Sequence, residues 1–221
     1  MQAEPAASLE LFGYWRSSAA YRVRIALNLK GLAYEHRPVD LVRGGGEQHA
    51  PAFRELNPQG LVPVLVHGDE VITQSLAICE WLEERFPEPP LLPMLPEHRA
   101  KVRAMALAVA ADIHPINNLR VQQYLKSALG AHDTDTVAWM NHWMSEGFAA
   151  LERMLAESTH TGACCWGDEP GLADCCLIPQ VYNAERFGCD MRGFPLVRRI
   201  TEHCRALPAF ARAAPEQQPD A

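Results

Sequence analysis

The order of apolar and polar positions opens the chain with a β-α-β pattern. Residues 9–14 alternate in character and end at a glycine turn, which predicts a short strand. Residues 21–29 carry apolar side chains at helical spacing before a stop at Gly31, and residues 34–39 predict a second strand. The beginning of the chain therefore predicts an α/β fold.

A hairpin and a helix are predicted next. Residues 40–51 are polar and contain three successive glycines, which indicates a mobile loop, and a short helix is predicted at 52–56. Residues 61–66 and 70–72 form two strand patterns around a short turn, as in an antiparallel hairpin. A further helix is predicted from Ser75 to about Phe86, with apolar side chains along one face.

Proline marks the predicted boundary between two domains. Five prolines among residues 87–96 indicate a stiff connector, and every periodic segment beyond it is helical. We therefore predict α/β plus all-α, with an α/β domain at 1–90 and an all-helical domain at 97–221. The tail 215–221 is expected to be disordered. The predicted helices of the second domain are 99–113, 117–128, 136–156, 172–187, 198–206 and 209–213.

Charge and cysteine content exclude several classes of function. A net charge of -7 argues against nucleic-acid binding, which requires a basic surface. No apolar run is long enough to span a membrane, and residues 1–8 do not have the pattern of an export signal. Seven cysteines without a metal-binding or disulfide spacing predict reduced thiols in the cytoplasm, most of them in the core, and no metal.

Ser17 and Ser18 lie where the first strand gives way to the first helix. Backbone N–H groups at a helix start lack partners, and the helix dipole places partial positive charge there. A thiolate at this position is stabilised, and a serine hydroxyl can donate a charge-assisted hydrogen bond to it. The residues alone leave open a simpler interpretation, in which Ser17 only caps the helix.

Five motifs taken together resemble the zeta class of glutathione transferases, over nearly the whole chain. The resemblance implies a thioredoxin-like first domain with element order βαβ-α-ββα, a helical second domain, glutathione as the cofactor and a homodimer. The motifs are RSSAAYRVRIAL at 16–27, NPQGLVP at 57–63, QSLAI at 74–78, NNLR at 117–120 and PQVYNAERF at 179–187.

The resemblance also implies roles for individual residues. It implies a cis peptide before Pro63 that turns the Val62 backbone toward glutathione, and a grip on the γ-glutamyl end by Gln74 and Ser75. Independently of the resemblance, serine is a good N-cap, so Ser75 is expected to cap the helix. The implied catalytic residues are Ser17, Ser18 and Arg186. The implied glutathione-binding residues are Ser17, Ser18, Gln48, Val62, Pro63, Gln74, Ser75, His114, Asn118 and Arg120. The implied substrate-binding residues are Arg16, Arg22, Arg120 and Arg186.

Simpler interpretations remain open for these residues. Pro63 could be a trans proline of an edge strand, and most single arginines are surface groups. His114 could be structural. The segment 167–174 resembles a helix-capping segment, in which Gly171 takes the cap position and Asp174 reaches back to the backbone.

The implied reaction is isomerisation of maleylacetoacetate to fumarylacetoacetate by thiolate addition, bond rotation and elimination, as part of tyrosine and phenylalanine breakdown. Arginines suit the carboxylates of this small unsaturated dicarboxylate. Ala19 stands where the family commonly has cysteine, so cysteine-dependent dehalogenation is not expected. The alternatives are isomerisation of maleylpyruvate in gentisate breakdown, transferase activity on α-haloacids, and a binding module without turnover.

Overall fold

The computed structural model describes residues 8–221, which form two compact units. The first unit comprises the chain up to Pro90 together with Pro208–Ala221, and the second unit is Leu91–Leu207. The sequence prediction assigned all residues from 97 onward to the second domain, so the placement of Pro208–Ala221 is a correction. The expectation for residues 1–8 lies outside the described residues, except at Ser8.

A four-stranded sheet with the order β2-β1-β3-β4 organises the first unit. β1 (Leu9–Gly13) pairs in parallel with β2 (Tyr34–Pro38) and antiparallel with β3 (Val64–His67). β3 pairs antiparallel with β4 (Glu70–Thr73), which confirms the predicted hairpin. Buried residues alternate with half-buried ones along β1, as expected when one face of a sheet packs on a core.

Three helices complete the first part of this unit. They are α1 (Ser18–Leu29), α2 (Pro51–Leu56) and α3 (Ser75–Arg85), close to the predicted positions. The predicted mobile loop instead contains two short 3₁₀ turns, Arg43–Gly45 and Glu47–His49. Glycines supply the positive φ angles that these tight turns require.

Pro208–Ala221, which we call the return segment, packs on α1. It contains α10 (Pro208–Ala213) and a 3₁₀ turn at Pro215–Gln217. The side chain of Asn28 in α1 donates to the carbonyl of Ala209 at 2.8 Å. Gln218 is buried and donates to two carbonyls of its own segment, at 2.9 and 3.0 Å. The predicted disorder of the tail is therefore wrong, because its polar side chains are used in hydrogen bonds.

The second unit is helical, as predicted. The helix bounds differ from the predicted ones by a few residues, chiefly at the first turns. Its helices are α4 (Pro96–Leu107), α5 (His114–Ile116), α6 (Leu119–Leu129), α7 (Asp133–Glu157), α8 (Leu172–Arg186) and α9 (Pro195–Ala206).

A π-helical segment at Ala108–Ile113 follows α4, where the sequence predicted one regular helix. Pro115 lies just beyond it, and proline cannot donate the hydrogen bond that a regular helix needs. Ile113 is buried against Gly147 of α7, where an added Cβ would collide with the Ile113 side chain. Single π turns often occur at functional positions.

The start of α8 is held by the capping arrangement that the sequence predicted. The carboxylate of Asp174 accepts from the backbone N–H groups of Gly171 and Cys165, both at 2.9 Å. All seven cysteines are free and buried, which confirms the prediction of reduced thiols in the core. Within residues 8–221, no helix combines the length and hydrophobicity that a membrane crossing requires.

Candidate active site

Ser17 is the N-cap of α1, directly after the turn that follows β1. Its backbone is extended, and its hydroxyl oxygen accepts from the N–H of Ala20 at 3.2 Å. Its own N–H donates to the carbonyl of Tyr14 at 2.9 Å, which closes the turn. Within residues 8–221 the Ser17 hydroxyl donates to no acceptor, so it suits donation to an anion at the helix start. Ser18 is the first residue of α1 and is buried.

Arg16 lies beside Ser17 in the same turn. Its guanidinium stacks over the ring of Trp15, with 4.5 Å between its carbon and the ring centroid. One nitrogen donates to the hydroxyl of Tyr14 at 3.2 Å. Its Nε is buried and has no hydrogen-bond partner among residues 8–221. The turn therefore holds a positive charge next to the helix start.

The start of α3 supplies a second group of the predicted residues. Gln74, not Ser75, is the N-cap of α3, which corrects the expectation for Ser75. The buried Ser75 hydroxyl accepts instead from the guanidinium of Arg22 at 3.1 Å. Arg22 is itself only 2% exposed, so the predicted substrate arginine lies inside the first unit and connects α1 to α3.

Gln74 has a strained backbone that the sequence did not indicate. Its φ is 68°, and it is the single non-glycine residue with positive φ among residues 8–221. Its side chain donates to Gln59 at 2.6 Å. Such strain costs about 1–3 kcal/mol and tends to occur at ligand-binding positions. The side chain of Gln74 is thereby held at the start of α3.

The peptide bond between Val62 and Pro63 is cis, which confirms the expectation. The sheet register of β3 begins at Val64, so the backbone groups of Val62 lie beyond the strand pairs. Gln48 is buried in the Glu47–His49 turn, where its Nε2 contacts His49 at 3.1 Å. Its Oε1 has no partner in the part of the chain that the structure describes.

The second unit holds the remaining predicted residues. Asn118 is the N-cap of α6, and its side chain accepts from the backbone N–H of Arg120 at 3.2 Å. His114 follows the π-helical segment and is half-buried. Arg186 ends α8, and its exposed guanidinium lies 4.6 Å from the ring centroid of Phe187. Arg120 is exposed as well.

Comparison with known proteins connects this geometry to a family. The glutathione S-transferase N-terminal domain matches residues 11–90. A probable maleylacetoacetate isomerase of Vibrio cholerae is 55% identical, over 97% of this chain and 99% of its own. The chain belongs to the glutathione S-transferase family.

Solved structures of this family place the chain in the zeta class. The holo structure of maleylpyruvate isomerase, a bacterial zeta-class glutathione S-transferase, superposes with a TM-score of 0.93 at 48% identity, and covers 96% of this chain and 99% of that one. Maleylacetoacetate isomerase from Methylobacterium extorquens AM1, with bound malonate and glutathione, has a TM-score of 0.92 at 44% identity, with the same coverage of both chains.

The residues of this glutathione S-transferase fit the tripeptide of its family. Glutathione carries two carboxylates, two amides and a thiol. The buried Oε1 of Gln48 and Nε of Arg16 each lack a partner among residues 8–221, and buried polar groups are normally paired. A ligand with amide and carboxylate groups would satisfy such atoms, and the helix start at Ser17 suits a thiolate.

Sequence reasoning missed two residues that support the Ser17 turn. Arg24 is fully buried and donates to the carbonyls of Tyr14 and Trp15, at 3.4 and 2.9 Å. Asp220 accepts from the N–H of Trp15 at 3.0 Å. The family motif contains Arg24, but no local pattern indicates that its charge is buried.

A buried cluster of possible metal ligands lies in the second unit. Cys164, Asp174 and Cys204 bring their ligand atoms within 4.8 Å of one another. Burial raises the pKa of the Asp174 carboxyl, and a hydrogen bond with Cys164 together with burial raises the pKa of the Cys204 thiol. Thiols that stay protonated are poor ligands, and both oxygens of Asp174 already accept backbone N–H groups. Capping and packing account for this cluster.

Proposed function

We propose that this protein isomerises maleylacetoacetate to fumarylacetoacetate with glutathione as cofactor. The observation that carries the proposal is the Ser17 hydroxyl at the start of α1. Its oxygen accepts from the N–H of Ala20, which leaves its O–H available to donate to a bound thiolate. Membership of the zeta class, with relatives named for this isomerisation, supports the same conclusion.

Ser17 would keep the sulfur of glutathione ionised. When bound, glutathione supplies a sulfur nucleophile that adds to the cis double bond and departs after the bond has rotated. A hydrogen bond from Ser17, together with the partial positive charge of the helix start, lowers the pKa of a thiol held there. A shift of about 2 units corresponds to about 3 kcal/mol, which these two effects can supply. Ser18 follows Ser17 and is the first residue of α1.

The remaining predicted residues of the first unit would hold the tripeptide. Gln74 and Ser75 at the start of α3 suit the carboxylate of the γ-glutamyl end. Val62, beyond the register of β3, offers backbone groups to the cysteinyl unit as an added strand would. Gln48 offers its buried amide oxygen at the glycine end. Arg22 keeps Ser75 in place through its hydrogen bond.

The substrate carboxylates call for fixed cations, and arginine binds carboxylates in a bidentate manner. Arg186 and Arg120 are exposed in the second unit, and Arg16 lies beside Ser17 in the first. His114 and Asn118 belong to the same proposal on the basis of the family motif. Malonate, a dicarboxylate, is bound with glutathione in the Methylobacterium relative, which supports a diacid substrate.

Maleylpyruvate is the second candidate substrate. The observation that favours it is the TM-score of 0.93 to maleylpyruvate isomerase. Both reactions need the same sulfur nucleophile and differ only in the part of the substrate beyond the double bond. We further infer a homodimer in the cytoplasm, in tyrosine and phenylalanine breakdown for the first substrate and gentisate breakdown for the second.

Substitution of Ser17 tests the proposal. Ser17→Ala should lower kcat by about 100-fold or more, as loss of one key donor does in other enzymes. Ser17→Thr keeps both hydroxyl and cap, and should retain most of the activity. The assay follows isomerisation of maleylacetone and maleylpyruvate with and without glutathione, while circular dichroism checks the fold.

The assay distinguishes the two candidate substrates, tests the role of Ser17 and separates an enzyme from a binding module. Glutathione-dependent turnover of maleylacetone with higher kcat/KM than maleylpyruvate supports the first substrate, and the reverse supports the second. Full activity of Ser17→Ala would discard Ser17 as the activating group. Binding of glutathione by wild-type protein without isomerisation of either compound would overturn the proposed function in favour of a binding module.

A further inference from the structure

The carboxylate of Asp220 in the return segment makes two hydrogen bonds to distant parts of the first unit. Its Oδ2 accepts from the backbone N–H of Trp15 at 3.0 Å, and its Oδ1 lies 2.9 Å from Nε2 of His36 in β2. The side chains of His36 and Asp220 are only 9% and 15% exposed. A carboxylate this far removed from water is normally retained only with partners of this kind.

The Trp15 N–H that donates to Asp220 belongs to the Tyr14–Ser17 turn, which leads into the start of α1. Within this turn Ser17 donates to the carbonyl of Tyr14, and Arg24 donates to the carbonyls of Tyr14 and Trp15. Asp220 and Arg24 therefore bond the two polar groups of the peptide that joins Tyr14 to Trp15: Asp220 accepts from its N–H, and Arg24 donates to its carbonyl. These contacts tie the backbone of Tyr14 and Trp15 to α1 and to the return segment.

The return segment is built to keep Asp220 in place. Arg24 donates through Nε to the carbonyl of Ala213 at 3.0 Å, so the same arginine bonds the segment and the turn. Gln218, two residues before Asp220, is buried and bonds two carbonyls of the segment. The return segment, α1 and the turn are thus joined by one set of hydrogen bonds around Arg24.

We propose that Asp220 is a positioning residue for the reaction, which fixes the Tyr14–Ser17 turn and thereby the direction of the Ser17 hydroxyl. The inference rests on the proposed function, since it assigns Asp220 a role through Ser17. A displacement of about 1 Å in a catalytic group can cost on the order of 100-fold in rate. Asp220 touches no reacting atom in this role.

Two variants of Asp220 separate position from charge. Asp220→Ala removes both contacts. Asp220→Asn keeps an oxygen to accept from Trp15 and an amide that can donate to neutral His36. We expect Asp220→Ala to lower kcat by roughly 10- to 100-fold and to raise the apparent pKa of the bound glutathione thiol, whereas Asp220→Asn should stay within about threefold of wild type.

Asn28→Ala is the matched control. Asn28 bonds the return segment at Ala209, and its loss loosens the same segment without touching the turn. Both Asn28→Ala and Asp220→Ala should lower the thermal unfolding midpoint. Only Asp220→Ala should change kcat and the ultraviolet pH titration of bound glutathione thiolate. Equal changes in both variants, or an Asp220→Asn as impaired as Asp220→Ala, would overturn the positioning role.

Hydrogen exchange distinguishes failure of this inference from failure of the proposed function. The amide proton of Trp15 should exchange faster in Asp220→Ala than in wild type, and unchanged exchange contradicts the contact itself. If the Trp15 amide exchanges faster in Asp220→Ala but kcat equals that of wild type, the turn has become more mobile without an effect on the reaction. That result also overturns the inference. If wild-type protein bound glutathione without any thiolate signal, the proposed function would fail even though the Trp15 contact stood.

Discussion

α1 and α8 are both mostly buried helices, one in each unit, but the side chains that they bury differ in kind. α1 buries two arginines, Arg22 and Arg24, at 2% and 0% exposure. α8 buries thiols and aliphatic side chains, and Asp174 is its one charged buried residue. In α1 the buried charges bond groups of the candidate active site: Arg24 donates to backbone carbonyls of the Ser17 turn, and Arg22 donates to the Ser75 hydroxyl. In α8 burial serves packing and the start of the helix.

Arg24 shows how far the first unit departs from an ordinary core. Burial lowers the pKa of its guanidinium to about 10, while nearby Tyr34, Tyr21 and Asp220 oppose this effect. The side chain is still charged at neutral pH, since that value lies well above 7. A buried charge of this kind is tolerated because it donates to three carbonyls, those of Ala213, Tyr14 and Trp15.

The largest expected effect concerns the single buried charge of α8. Asp174→Ala leaves the N–H groups of Gly171 and Cys165 without their acceptor. Each unsatisfied buried donor costs about 1–3 kcal/mol, so the free energy of unfolding should fall by about 4 kcal/mol in urea titrations. Asp190→Ala, which removes an exposed ion pair with Arg192, is the control and should change it little. Similar losses in both variants would refute the capping role.

A somewhat smaller effect is expected from the buried cation of α1. Arg24→Leu removes three donors and should lower the free energy of unfolding by about 3 kcal/mol, because relief of the desolvation cost offsets part of the loss. It should also weaken glutathione binding in calorimetry. Ile178→Val in α8 should cost about 1 kcal/mol without altering glutathione binding. Equal effects of the two variants on binding would remove the contrast between the helices.

The smallest effect is a pH dependence of the first unit. Burial lowers the pKa of His36 below its ordinary value of 6.5, and Arg24 adds to this while Asp220 opposes it. The unfolded chain then takes up the proton more readily than the folded one. The contribution of His36 to the free energy of unfolding should therefore be fully present above about pH 6.5 and be lost progressively as the pH falls below it. Unfolding titrations across this range should show a shallower decline for His36→Gln. Parallel curves for variant and wild type would contradict this assignment.

Local signals in the sequence predicted much of the fold and part of the site. The β-α-β start, the hairpin and the helical second unit follow from periodicity, and Ser17 and Asp174 follow from helix-start patterns. Serine's preference for N-cap positions predicts that Ser75 caps α3, but its hydroxyl accepts instead from Arg22, 53 residues away in sequence. The return segment looked disordered because it is rich in proline and polar residues. Its contacts with Trp15 and His36 join residues 205 and 184 positions apart, which no local pattern indicates.

The backbone of Gln74 has a consequence for the design of more robust variants. A glycine at this position would adopt the same torsion angle without steric penalty and would relax the protein. Yet the chain retains a long amide there, reaching to Gln59. Thermostability screens that favour relaxed loops would therefore select replacements at position 74 that lose the amide which the proposed function assigns to glutathione.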